Sequence, residues 1–133
     1  MTPDGLTICP SHHGPKETMD RLIAAVTGRG MTVLARIDHT AAAVKVGMEL
    51  RSTEVVLFGN PRGGTPLMQA VQTMGIDLPL KALVWQDEGG KTWLAYNDPK
   101  WLAKRHEALV GTEHTLGAMA EALAAVAKEA TGA

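Results

Sequence analysis

Thiols, aromatic rings and charge of either sign in excess are what this chain lacks. A single cysteine, Cys9, forbids an intramolecular disulfide and excludes the multi-cysteine zinc frameworks, which fits a reducing compartment. Three Trp, one Tyr and one Phe must be shared among all layers of the core. Thirteen Lys and Arg stand against 14 Asp and Glu, a net charge of −1, with no block of like charges. That balance removes the electrostatic footprint that nucleic-acid binding and polybasic membrane docking require. No run approaches the ~18 apolar residues of a membrane span, and Met1 to Gly5 lack the charged and hydrophobic regions of a signal peptide. A cytoplasmic protein with no nucleic-acid or membrane partner is expected.

What is present is 133 residues of 45% hydrophobic content, enough for one domain over residues 1–133 and too little for two. A chain of this size buries roughly two-thirds of its unfolded surface, so neither a metal nor a disulfide is needed for folding. No cofactor and no metal site are expected.

Hydrophobic spacing places the elements. Leu6 to Pro10 reads as a short strand, followed by turn residues Ser11 to Gly14 and by Pro15 at a first helical position. Met19, Leu22, Ile23 and Val26 fall at i, i+3, i+4 and i+7, one helical face, and Gly28 and Gly30 supply the stop. Val33, Ala35 and Ile37 alternate with Thr32, Leu34, Arg36 and Asp38, predicting a strand that ends at Asp38-His39. Ala41 to Met48 is helix-tolerant. Val55 to Phe58, apolar on both sides, predicts an interior strand. After it, Thr65 and Pro66 read as N-cap and first residue of a helix carrying Leu67, Ala70, Val71 and Met74, with Gly75 as terminator. Leu80 to Gln86 and Thr92 to Asn97 form a hairpin around Asp87 to Lys91. Asp98-Pro99 opens a helix through Trp101, Leu102 and Arg105. Leu116, Met119, Ala120, Leu123, Ala127 and Ala130 mark a last, alanine-rich helix. Alternating strands and helices followed by a hairpin predict an α+β two-layer sandwich, with about five mixed or antiparallel strands and the helices on one face. A doubly wound sheet is the competing architecture.

Four places carry polar groups at strand ends or in the following loops, where open sheets tend to bind ligands. Asn60-Pro61-Arg62-Gly63-Gly64-Thr65-Pro66 combines free backbone N–H groups, an Arg fork and a helix N-terminus, all suited to a carboxylate or phosphate. It matches neither the Walker spacing nor G-x-G-x-x-G, so nucleotide chemistry is unsupported. The bland alternative is a tight Gly63-Gly64 turn with Arg62 paired to a carboxylate. Asp38-His39 ends a strand as an acid/base candidate, tuned by its own carboxylate and Arg36. The alternative is that Asp38 caps the next helix. The hairpin offers Lys81, Trp85, Gln86, Asp87 and Glu88 on one strand and Trp93, Tyr96, Asn97 and Asp98 on the other, either a small-molecule wall or plain packing. Cys9, His12 and His13 place a thiol near two imidazoles, but a strand running into a turn does not make them converge. His106 and His114 share no ligand spacing and are expected to be solvated.

The phrases Gly30-Met31-Thr32-Val33, Arg36-Ile37-Asp38-His39, Leu50 to Pro61, Leu78-Pro79-Leu80-Lys81 and Tyr96-Asn97-Asp98-Pro99, in this order, resemble the domain of unknown function 302 family. Ile37, Asp38, His39, Phe58, Gly59, Asn60, Pro61, Leu80, Lys81, Tyr96, Asn97, Asp98 and Pro99 carry the match. The resemblance implies a small α+β domain that pairs into homodimers, and it implies no reaction. The Cys9 to His13 stretch departs from it.

Three functional classes follow. The first is a homodimeric module that binds a small anionic or carboxylate ligand near Asn60, Arg62, Gly63, Gly64, Thr65 and His39, with Lys81 and Tyr96 as further contacts. The second is an enzyme using His39 and Asp38 as acid and base, with Lys81 or Arg62 stabilising negative charge. The third is a structural or regulatory oligomer built on the Leu116 to Ala130 face and the hairpin.

Overall fold

The computed structural model describes residues 2–132. Five strands, β1 (Leu6–Pro10), β2 (Thr32–Asp38), β3 (Thr53–Gly59), β4 (Leu80–Gln86) and β5 (Thr92–Asn97), form one sheet in the order β1-β5-β4-β3-β2. Every neighbouring pair is antiparallel, so the architecture is α+β, and the doubly wound alternative, which needs parallel neighbours, is excluded. Strands β2 to β5 are a meander. The first helix, α1 (Pro15–Gly28), carries the chain from edge strand β1 to the opposite edge, β2.

Both long helices bury an apolar stripe on the same sheet face. Met19, Leu22 and Val26 of α1 meet Leu116, Leu123, Val126 and Ala130 of α5 (Glu113–Thr131), over Val56, Phe58, Ala82, Val84 and Leu94 of the sheet. Ends are fixed by local chemistry. Pro15 begins α1, and Gly30, at φ +78°, lets the chain reverse into β2, a backbone state that other residues adopt at a cost. Asp98 accepts the Lys100 N–H at 3.0 Å and opens α4 (Pro99–Arg105).

Two elements differ from the sequence reading, each for a local reason. In β2 a bulge between Val33 and Ala35 breaks the alternation that placed Val33, Ala35 and Ile37 on one face. Val33 pairs with buried Phe58 on the helix side. Past the bulge Arg36 pairs with buried Val56 and reaches Glu54 at 2.6 Å, leaving Ile37 43% exposed and Leu34 thrown outward at 61%. The second difference is the helix after β3. Asn60, and not Thr65, is its N-cap, its side chain accepting the Arg62 N–H at 2.9 Å. Helix α3 therefore runs Pro61–Ala70, with Pro66 inside it. A proline there removes its own N–H from the ladder and crowds the carbonyl of Arg62 four residues before it, and the helix ends four residues later at Ala70, with Val71, at φ −143°, as the C-cap before a 3-10 helix, Gln72–Asp77.

The connection from β2 to β3 projects from the sheet. Its helix α2 (His39–Lys45) has no buried residue, and Val44, Val46, Met48 and Leu50 are 44–71% exposed.

Candidate functional site

Strand β3 runs into α3 beside the first residues of β2 and β4, while the N-terminal half of α5 lies opposite. Between them is a cleft of about 880 Å³. Its walls are apolar, with Met31 and Leu34 from the start of β2, Met68 from α3, Leu78 and Leu80 at the entry to β4, and Met119 from α5. Asn60, Arg62, Gly63, Gly64 and Thr65 line it, as do His114 and Thr115 across the gap. The structure thus brings together the five candidate residues of the β3–α3 junction. It adds His114, expected to be merely solvated, which is exposed but stands on the cleft wall.

The chemistry of the junction is not that of a free-amide loop. Residues 61–65 are helical, and the first amides of α3 are occupied. The Arg62 N–H goes to Asn60 Oδ1, and those of Gly63 and Gly64 go to the Asn60 carbonyl at 2.9 and 3.1 Å. A Cβ on Gly63 or Gly64 would stand 3.7 Å from the Met119 methyl or the Leu78 Cδ1, an ordinary contact distance, so packing does not demand glycine at either position. The Arg62 guanidinium has no carboxylate within ion-pair distance among the described residues, so the paired alternative is not realised. At the N-terminus of α5, Thr112 spends its hydroxyl on the Ala108 carbonyl and offers no side-chain cap. No acceptor among the described residues meets the N–H groups of Glu113, His114 and Thr115. Uncapped first-turn amides of this kind carry the positive end of the helix dipole.

Other candidates lie elsewhere. Asp38 pairs with Glu54, whereas Thr32 pairs with Gly59 at the Arg62 end. Six strand steps separate the two ends, about 20 Å, so His39 and Arg62 do not share a site. Asp38 caps α2 through the Ala41 N–H at 2.9 Å, and His39 is exposed as the first residue of that helix. Lys81 and Tyr96 sit on opposite sheet faces. Tyr96 pairs with buried Ala82 on the helix side, where burial first, then the charge of Cys9, raises its phenol; Lys81 pairs with Leu57 on the other side. Trp85 and Trp93 pair directly, rings stacked at 6.5 Å. Asp87 accepts the Trp93 indole N–H at 2.8 Å and the Lys91 N–H at 2.9 Å, and these bonds hold its carboxyl below the usual range. Cys9 packs against the core from β1, and burial pushes its thiol up, which opposes thiolate chemistry. His13 is engaged by the Gly132 carbonyl at 2.5 Å and Glu17 at 2.9 Å, and His12 is exposed.

One polar cluster has no signal in the sequence. His106, whose side chain is 8% exposed, lies 2.6 Å from Asp77 and 2.9 Å from the Thr73 hydroxyl. Arg105 reaches the same carboxylate at 3.1 Å. These contacts tie α4 to the 3-10 helix that walls the cleft. Asp77 and His106 are 29 residues apart, beyond the reach of any spacing rule.

The chain is 44% identical over 128 residues, 96% of its length, to the protein named "Fluoride-specific ion channel FluC 1" of Brucella suis biovar 1 (strain 1330). It is equally identical to "Fluoride-specific ion channel FluC 2" of Brucella melitensis biotype 1. It covers 50% and 47% of those proteins, and so spans about half the length of the curated relatives it matches. The crystal structure of an uncharacterized conserved protein from Bacillus stearothermophilus superposes with a TM-score of 0.86 at 19% identity, covering 96% of this chain and 99% of that one. That likeness concerns the fold alone. The model of one family matches residues 8–128, and the chain belongs to it: "Domain of unknown function DUF302".

Proposed function

We propose that the protein is a homodimeric, cytoplasmic binding module that holds a small anionic ligand in the cleft between α3 and α5. The observation that carries this reading is one of charge. Among the described residues Arg62 lines the cleft, no Asp or Glu does, and Arg62 has no carboxylate partner. A large concave site with few polar groups suits a small molecule, and an unpaired guanidinium beside an uncapped helix N-terminus favours an anion. Self-association is supported by the apolar flank of β2 and its connection. A seven-residue helix with no buried side chain is marginal alone in water, and Leu34, Ile37, Val44, Val46 and Met48 beside it are exposed.

Native mass spectrometry on freshly purified protein reads both parts of the proposal. The expected spectrum is a dimer with a retained acidic adduct that Arg62→Ala loses. A monomer overturns the assembly, and an adduct held equally by Arg62→Ala overturns the placement.

A second reading is favoured by the Brucella proteins. In this reading the activity in those proteins' names belongs to the half this chain does not match; none of the described helices here is long and apolar enough to cross a membrane. The domain is then an attachment to a protein of that name. Fluoride is a poor occupant for the cleft itself, because a monatomic ion gains nothing from broad methionine and leucine walls.

A further inference from the structure

An inorganic anion would use only one rim of this cleft. Phosphate, sulfate and fluoride are satisfied by donors, yet most of the wall is hydrocarbon and thioether. Met31, Leu34, Met68, Leu78, Leu80 and Met119 converge from four separate segments of the chain. Methionine is unbranched and polarisable, and its recurrence at a concave surface fits flexible apolar occupants better than rigid polar ones. A cationic head is disfavoured on this lining, because Arg62 is present without a carboxylate among the described lining residues. A sugar or nucleoside is disfavoured too, since Asn60, Thr32, Thr65, Thr115 and His114 are few polar side chains for so large a wall, and a polyol buried here would leave hydroxyls unpaired.

We infer that the ligand is an amphipathic monoanion, a carboxylate carried on an acyl or aryl body of about eight to twelve carbons. The head group is held at Arg62 and the N-terminus of α5, and the body lies against Met31, Met68 and Met119. A space of about 880 Å³ is within the range of sites that enclose most of a molecule of this size. The inference rests on the anion-binding reading and adds the apolar half of the ligand.

The test is a methyl NMR titration of protein carrying 13C-methyl methionine, with acetate, butanoate, octanoate and decanoate as monomers, and with 1-decanol and decylammonium as neutral and cationic controls. Met31, Met68 and Met119 report the cleft, while buried Met19 in α1 and exposed Met48 report everything else. Octanoate and decanoate are expected to move the three cleft methyls alone. Each methylene added from butanoate should tighten binding about two- to fourfold, the upper figure being full burial at ~0.8 kcal/mol. Arg62→Ala should weaken decanoate at least tenfold and leave decanol unchanged. Ala118→Trp, at an exposed helical position on the cleft wall, should abolish binding while the Met19 methyl keeps its folded position.

The outcomes separate the two readings. Acetate binding as tightly as decanoate at the cleft overturns the amphipathic inference and leaves anion binding standing. Decanol or decylammonium matching decanoate, with no effect of Arg62→Ala, overturns anion binding. No response to any probe at millimolar concentration overturns both.

Discussion

Phe58 is the largest fully buried side chain, at 0% exposure, and the only phenylalanine in the chain. It faces the helices from β3, between Leu80 of β4 and Val33 of β2, one residue before the strand leaves for the cleft. Truncating such a ring to alanine removes its transfer free energy and leaves a cavity that a close-packed interior only partly refills, a cost of about 3–5 kcal/mol. For 133 residues the entropy of unfolding is about 0.28 kcal/mol per degree, so Phe58→Ala should lower Tm by about 11–18 °C. Phe58→Leu keeps most of the volume and should cost less than about 1.5 kcal/mol. Ile76→Ala, at a position 72% exposed, should stay within about 0.5 kcal/mol. Urea denaturation followed by far-ultraviolet dichroism, checked by calorimetry, measures all three. The reasoning fails if Phe58→Ala costs under about 1 kcal/mol, or if the sheet and helix signals separate into two transitions, because a single shared core requires one.

Two further predictions concern polar contacts. Asp87 has a folded pKa below its unfolded value, so the stability it contributes is present above the ordinary carboxylate range of about pH 4 and is lost as pH falls through the lower folded value. In a Trp85→Phe, Trp101→Phe background the Trp93 emission should change only below about pH 4 and should stay flat there in Asp87→Asn; an unchanged emission in the parent background refutes the assignment. Asp77 and His106, 2.6 Å apart and both largely buried, should show a coupling of roughly 0.5–3 kcal/mol in a cycle of Asp77→Ala and His106→Ala, and additive losses would mean that the contact holds nothing.

What the sequence discloses depends on how local each determinant is. The periodicity of Met19, Leu22 and Val26, the strand Val55 to Phe58 and the Asp98-Pro99 cap are encoded within a few residues, and all three stand in the structure. Even the bland alternative at Asp38 was locally legible, because an acidic side chain ahead of Thr40-Ala41-Ala42 is a capping pattern, and it caps. The helix after β3 offered two local solutions, Asn60-Pro61 and Thr65-Pro66, each a capping residue followed by proline. Spacing does not rank them. The earlier cap wins, so the amides that made the loop attractive for an anion are consumed within the helix itself. The bulge at Leu34 is likewise silent, since a strand of alternating residues reads the same with or without one extra residue until the partner strand is known. One rim of the cleft, Asn60 to Thr65, is local, and the opposite wall is not. Arg62 and His114 come from helices with β4, β5 and α4 between them in the chain, and no motif links them.

The site arises where the covering of the sheet is incomplete. Helices α1 and α5 run far enough to seal Val56, Phe58 and Val84, but α3 stops at Ala70 and the 3-10 helix turns aside toward α4, where Asp77 is held by Arg105 and His106. A longer α3 continuing through Met74, as its apolar spacing suggested, would have carried Val71 and Met74 along one face. The break instead sends Met74 into the core at 1% exposure, while Gly75, Leu78 and Pro79 become part of the cleft wall. The same ion-paired cluster that fixes this turn therefore shapes the space beside Arg62. Leu34, pushed out of β2 by its bulge, lies both on that wall and in the exposed apolar flank of the edge strand, so the two surfaces the fold leaves uncovered meet at one residue.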